Sequence, residues 1–144
     1  MFKKILIPVD LQENIIADHA METALRLAKT YGAKLYVLTV VPGFGLPIVA
    51  SHFPKDILKK ARKDVNRMLK KYVAKTVGGH DVKVNTNITE GRPYREILRE
   101  AKRLKIDLIV IPSHTRKTMD EIFLGSNAAR VAEKARCSVM VVRS

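Results

Sequence analysis

Consecutive apolar positions occur in four short runs of the chain. These runs are KKILIPVD, AKLYVLTVVP, IDLIVIP and CSVMVVRS. In the first three, such continuity is typical of strands that are covered on both faces, and CSVMVVRS is predicted to be the last strand. A further stretch, VKVNTNITEG, alternates between apolar and polar residues, which indicates a strand nearer the edge of a sheet. The pattern therefore predicts a sheet of mostly buried strands.

Helical periodicity fills most of the chain between these strands. We predict helices over Asn14 to Tyr31, Lys55 to Val77, Pro93 to Leu104 and Asn127 to Ala135. Gly32 is placed to end the first helix, since glycine readily adopts the left-handed conformation found there. Residues 43–54, GFGLPIVASHFP, are rich in glycine and proline without a clear period and predict a loop.

The second predicted helix carries an apolar stripe that we expect to be its buried face. Its members are Ile57, Leu58, Ala61, Val65, Met68, Leu69 and Tyr72.

Strands and helices alternate strictly, in the order βαβαβαβαβ. Such alternation implies a parallel sheet with helices on both faces and right-handed crossovers. The chain has 144 residues, and its sequence shows neither an internal repeat nor a second domain. We therefore expect residues 1–144 to form one α/β domain, a three-layer α/β/α sandwich around a five-stranded parallel sheet.

Positive charge dominates the composition. The formal net charge is +13, which favours anionic partners such as nucleotides, nucleic acid or membrane surfaces. The alternative is a solvated lysine-rich surface, because KKARKDVNRMLKK and REAKRLK have helical spacing with acids interspersed. Composition alone leaves both interpretations open.

Cys137 is the single cysteine, so no disulfide can form within the chain. The apolar run SVMVV follows it and favours a buried, inert thiol, with a reactive thiol as the alternative. The apolar run near the N-terminus is too short for a signal peptide, and no stretch has the length of a membrane span. We expect a cytoplasmic protein.

Residues at strand ends are the candidate binding site. In an open α/β sheet, ligands bind beyond the carboxyl ends of the strands, where the strand order reverses. The candidates follow the first, second and fourth strands and begin the last helix: Pro8, Val9, Asp10, Val40, Ile111, Pro112, Ser113, His114, Gly125, Ser126 and Asn127.

Two of these positions have a clear chemistry, and each has a structural alternative. Asp10 can accept two hydrogen bonds from a ribose diol, or it can cap the following turn. At Gly125-Ser126-Asn127 a helix N-terminus would present N–H groups and a favourable dipole to a phosphate. The alternative there is that Ser126 or Asn127 only caps the helix.

Several other chemistries are disfavoured by the sequence. His114 has no His, Cys or acidic neighbours at metal-ligand spacing, so we expect no metal site. Ser113 and His114 are adjacent and lack a G-x-S-x-G elbow, which argues against a nucleophile pair. Neither a Walker loop nor G-x-G-x-x-G follows the first strand. We therefore expect at most a slow ATPase.

Five segments, taken in order, carry a family resemblance over essentially the whole chain. They are ILIPVD, VVP, EGRPYREILREAK, IDLIVIPSH and LGSNAARVAEKARCSVMVVR. On these segments the chain resembles the universal stress proteins. The resemblance implies a Rossmann-like fold of the adenine nucleotide alpha hydrolase type, and a homodimer joined through the last strand, Val139 to Arg143.

Many members of that family bind ATP through G-x-x-G, nine residues and G-[ST]. Here Pro112 and Thr115 stand at the two early glycine positions, and Gly125-Ser126 closes the motif. Proline lacks an N–H donor and threonine resists positive φ, so the first half of a phosphate cradle is altered. Arg116 and Lys117 can replace lost backbone donors with charge.

The resemblance implies a stress-response or regulatory protein that binds ATP or AMP, with Mg²⁺ as a companion ion of the phosphates. Asp10 would hold the ribose, and Val9, Val40 and Ile111 would flank the adenine. The residues that would face the phosphates are Ser113, His114, Gly125, Ser126 and Asn127. One alternative is a dimeric interaction module without nucleotide, which Pro112 and Thr115 favour. Nucleic-acid binding by the basic surface is less favoured, because no aromatic or helix-turn-helix platform is evident.

Overall fold

A computed structural model describes residues 1–11, 14–41, 54–113 and 124–143. The strands are β1 (Lys4–Pro8), β2 (Lys34–Val41), β3 (Val84–Glu90), β4 (Leu108–Ser113) and β5 (Ser138–Arg143). The helices are α1 (Asn14–Tyr31), α2 (Lys55–Val77), α3 (Pro93–Leu104) and α4 (Ser126–Lys134). The predicted order is confirmed, and α4 begins and ends one residue earlier than expected. Most of the predicted loop, residues 43–53, lies outside the described residues.

All strand pairs are parallel, and the strands lie in the order β3-β2-β1-β4-β5. The predicted five-stranded parallel sheet is therefore confirmed, and the alternating strand β3 does lie at an edge. On the central strand β1, Ile5, Leu6 and Ile7 are almost fully buried.

Two separate cores cover the two faces of the sheet. On one face α1 and α2 pack against the side chains of Ile5, Ile7 and neighbouring strand residues. On the other face α3 and α4 pack against Leu6, Ile109 and their neighbours. Successive strand residues alternate between the two cores, as the pleat of a strand requires. The result is the predicted three-layer arrangement.

The predicted buried face of α2 is too wide. Leu69 and Tyr72 are buried, but Ile57 is 52% exposed and Met68 is 51% exposed. Within the described ranges the helix packs against α1 and the edge strand β3, and these elements cover a narrow strip of its surface. Helical periodicity identifies an apolar stripe, and the width of the neighbouring surface decides how much of the stripe is covered.

Candidate functional site

The strand order reverses between β1 and β4. Their pairing comprises Ile5 with Leu108 and Leu6 with Ile109. Beyond that level β4 continues to Ser113 alongside β5, while β1 continues alongside β2. The two central strands therefore lead to the carboxyl edge with different partners, which is the arrangement that forms a ligand crevice in open α/β sheets.

Hydrogen bonds hold the strand ends together at this carboxyl edge. The Val9 N–H donates to the Leu38 carbonyl at 2.8 Å, and the Thr39 hydroxyl donates to the Val9 carbonyl at 3.2 Å. At the neighbouring strand the Gly91 N–H donates to the Val41 carbonyl at 3.1 Å. The ends of β1, β2 and β3 are thereby held together by the protein itself.

Ser113, the last residue of β4, has a fully buried side chain. Its hydroxyl oxygen makes no hydrogen bond within the described part of the chain. Ile111 packs into the α3/α4 core, and strand alternation puts Ser113 on that same face. A buried hydroxyl without a partner is destabilising by about 1–3 kcal/mol, so this position favours a ligand atom.

The N-terminus of α4 belongs to the same edge. Gly125 is its N-cap residue, with φ 82° and ψ 141°, and no side chain caps the helix. Ser126 and Asn127 form the exposed start of the first turn, which contains no acidic residue. The first N–H groups of a helix lack partners within the helix and attract anions. This end of α4 therefore has the electrostatics of a phosphate site.

The predicted site residues within the described ranges lie at one edge, but not on one face. Val40 and Ile111 belong to the α3/α4 core, whereas Val9 is buried in the α1/α2 core. Val9 would therefore contribute its backbone rather than its side chain to a ligand on the α3/α4 side. Pro8 ends β1, and Asp10 is exposed two residues later. The predictions for His114 and Arg116 lie outside the described residues.

Pro112 lies within β4 and pairs with Val142 of β5. Its backbone is regular strand, and Lys105 is the single non-glycine residue with positive φ among those the structure describes. The loss of the first motif glycine therefore introduces no strained backbone at this position.

Three positively charged side chains surround the ring of Tyr94, beside the site. The Arg130 guanidinium lies 4.8 Å from the ring centroid, with Arg95 at 5.8 Å and the Lys134 ammonium at 5.9 Å. A hydrogen bond from Arg95 is the main cause that lowers the pKa of Tyr94. This junction of α3 and α4 favours anions in its vicinity.

A cleft of about 320 Å³ lies on the same face, but halfway along the strands and away from the site. Its wall includes Glu100, whose carboxylate accepts hydrogen bonds from Asn87 at 3.0 Å and from Arg103 at 2.7 Å and 3.0 Å. The Arg103 guanidinium is the main cause that lowers the pKa of Glu100. Because these groups satisfy one another, we assign no ligand to this cleft.

Three further predictions concern the thiol of Cys137, metal binding and membrane-spanning helices. Cys137 is half-buried rather than fully buried, and burial raises the pKa of its thiol, which favours the inert state. The described ranges contain no group of three or more His, Cys, Asp or Glu residues that could hold a metal ion. In the same ranges, no helix is long and apolar enough to cross a membrane.

Sequence analysis missed Thr89, on β3. Its side chain is 8% exposed, and its hydroxyl makes no hydrogen bond within the described ranges. A threonine in an alternating strand is ordinary, so the sequence carries no signal that this hydroxyl is buried and unsatisfied. The register of β2 and β3 places Thr89 opposite Val40, which is a predicted site residue.

Comparison with known proteins agrees with the fold and with the family resemblance. Residues 1–143 match the model of the universal stress protein family. Universal stress protein MJ0531 of Methanocaldococcus jannaschii is 34% identical over 146 residues, covering 99% of this chain and 83% of the relative. Universal stress protein YxiE of Bacillus subtilis is 29% identical, covering 99% of this chain and 100% of the relative.

Solved structures show the same architecture. That of MJ0577 from M. jannaschii has a TM-score of 0.78 at 27% identity, covering 100% of this chain and 97% of the other. A universal stress protein in complex with cAMP has a TM-score of 0.72 at 19% identity, covering 99% and 97%. The Archaeoglobus fulgidus protein in complex with dAMP has a TM-score of 0.68 at 20% identity, covering 97% of each chain. With its whole length matched in sequence and in fold, this chain belongs to the universal stress protein family.

Proposed function

We propose that this protein binds an adenine nucleotide, ATP or AMP, at the carboxyl edge of its sheet. It would act as a stress-response or regulatory protein in the cytoplasm, changing its partner or assembly with the nucleotide and turning it over slowly or not at all. The observation that carries the proposal is the buried, unpartnered Ser113 hydroxyl at the edge where α4 begins without a side-chain cap.

Each end of the nucleotide has a counterpart at this edge. The first turn of α4, with Gly125, Ser126 and Asn127, would hold the phosphates together with Ser113. The predicted roles of His114 and Arg116 toward the phosphates, and of Mg²⁺ as their companion ion, belong to the same proposal. Asp10 would accept hydrogen bonds from the ribose diol. Val40, Ile111 and the backbone at Pro8 and Val9 would flank the base.

Two general features support an anionic nucleotide. The net charge of +13 attracts anions, and the cations around Tyr94 add to that field near α4. Other proteins of this fold have been solved with cAMP and with dAMP.

Calorimetric titration with ATP and AMP tests the proposal. Asp10→Ala and Gly125→Val are each expected to weaken binding at least about tenfold, which corresponds to roughly 1.4 kcal/mol. Asp81→Ala is the matched control. Asp81 is an exposed carboxylate that precedes β3, so it lies at the amino ends of the strands, away from the carboxyl edge. Absence of both binding heat and thermal stabilisation at millimolar nucleotide would refute the proposal.

That negative result would favour a dimeric interaction module without nucleotide. The observation behind this alternative is Pro112, which supplies no N–H donor at the first motif glycine. Thr115, at the second glycine position, lies outside the described residues. An interaction module would retain its assembly when Gly125 is replaced, because the nucleotide would have no part in it.

We further propose that two copies pair through β5. This strand lies at an edge of the sheet, and Met140 on it is 37% exposed. Unpaired N–H and C=O groups at an edge invite pairing unless charge or proline blunts them, and residues 139–142 contain neither. An antiparallel pairing of Val139 to Arg143 with its own copy would satisfy these groups around a two-fold axis.

A further inference from the structure

Two buried hydroxyls without hydrogen-bond partners lie at the carboxyl edge of the sheet. One belongs to Ser113 on β4, which the proposed phosphate site already uses. The other belongs to Thr89 on β3, whose oxygen is shielded from solvent and has no partner among the described residues. Thr89 has no role in the predicted site, so its hydroxyl calls for a separate explanation.

Strand alternation places Thr89 on the same face as Ser113. Asn87, two residues earlier on β3, donates a hydrogen bond to Glu100 of α3, whereas Ile88 packs into the α1/α2 core. Thr89 therefore faces the α3/α4 side. Its register partner on β2 is Val40, which also packs on that side. Thr89, Val40 and Ser113 thus line one face of the carboxyl edge.

The separation of the two hydroxyls matches the length of a nucleotide. β3 and β4 are three strand spacings apart in the observed order, which corresponds to about 14 Å. This is on the order of the distance between the base edge and the phosphate of an extended nucleoside monophosphate. One such molecule lying across β2 and β1 could reach both groups.

The charged side chains near each hydroxyl indicate which end of the nucleotide lies at Thr89. At the end of β3, the carboxylates of Glu90 and Glu96 pair with Arg62 at 3.5 Å and Arg99 at 2.5 Å, so these arginines are already engaged. Glu96 stands close to the turn after β3, since a β-carbon on Gly91 would lie 2.7 Å from its Oε1 atom. The first turn of α4 has no acid. Phosphate is therefore favoured at α4, and a neutral group at β3.

We propose that Thr89 recognises the purine base, and that its hydroxyl oxygen accepts a hydrogen bond from the 6-amino group of adenine. This inference rests on the proposed nucleotide site and adds a specificity-determining residue to it. The hydroxyl is already buried before the ligand arrives, so the bond satisfies a group that is otherwise unpaired. Adenine would be preferred over a purine that lacks the 6-amino group.

The test is a cycle of two ligands and several variants, measured by calorimetry. The ligands are AMP and purine riboside 5′-monophosphate, which differ in the 6-amino group alone. Wild type is expected to bind AMP about fivefold more tightly than the purine riboside monophosphate, since one ordinary hydrogen bond changes the affinity by about that factor. Thr89→Val, which replaces the hydroxyl by a methyl group, is expected to bind both ligands alike. Thr89→Ser, which keeps the hydroxyl, should retain the preference.

Thr86→Val is the matched control, because Thr86 lies on the same strand and alternation turns its side chain to the other face. It should leave the preference unchanged. An unchanged preference in Thr89→Val would overturn this inference while leaving the nucleotide site intact. Absence of any nucleotide binding to wild type would overturn both.

Thermal unfolding without ligand gives an independent readout. Removing an unpaired buried hydroxyl should leave the stability of Thr89→Val equal to that of wild type or higher. A clear loss of stability would show that the hydroxyl has a partner within the protein, which would also overturn the inference.

Discussion

Replacing Gly125 by alanine tests the start of α4 most directly. The residue has φ 82° and ψ 141°, close to a region of backbone conformation that glycine alone populates readily. A β-carbon there is expected to lower the free energy of unfolding by about 1–3 kcal/mol. For a chain of this length that corresponds to a fall of about 3–10 °C in the unfolding temperature.

Gly32→Ala is the matched control for this prediction. Gly32 follows α1 with φ 64°, and no atom lies within 4 Å of the position its β-carbon would take. This left-handed conformation is less strained for alanine, so a smaller loss of about 1–2 kcal/mol is expected. Comparing the two variants separates the particular backbone at Gly125 from the general effect of replacing a glycine.

Urea and thermal unfolding of ligand-free protein provide the measurement. If Gly125→Ala unfolds within about 0.5 kcal/mol of wild type, a size typical of neutral surface substitutions, the glycine is not required by its conformation. The interpretation of Gly125 as a conformationally necessary part of the phosphate site would then be wrong.

Three further outcomes are expected. Val141→Pro removes a backbone donor from β5 and should yield monomer or aggregate, whereas wild type should scatter light as a dimer; a wild-type mass near 16.2 kDa would contradict the pairing. Glu100→Gln should destabilise the protein by about 1–2 kcal/mol at pH 7, more than the exposed Glu133→Gln. Because the folded-state pKa of Glu100 is lowered, its contribution is complete above the ordinary glutamate pKa and disappears as the pH falls through the folded value. A deficit in urea unfolding that persists in strong acid would contradict this. Binding to duplex DNA should be weak and vanish by physiological salt, and sequence-selective binding retained at that salt would show that the basic surface has a specific partner.

The sequence by itself determined the order of elements and the class of fold. Consecutive apolar residues in β1, β2 and β4 require cover on both faces, and amphipathic stretches of helical period supply it. Alternation of polar and apolar residues in β3 is enough to predict its position at an edge of the sheet. These are local patterns, and each is set by the period of a single element.

Tertiary structure decided which side chains are left without partners. Ile57 and Met68 belong to an apolar stripe that the edge of the sheet is too narrow to cover. Thr89 and Ser113 are ordinary polar residues in the sequence, and their burial arises only in the folded structure. Whether a buried hydroxyl finds a hydrogen-bond partner depends on groups distant in the chain, so no local pattern encodes it.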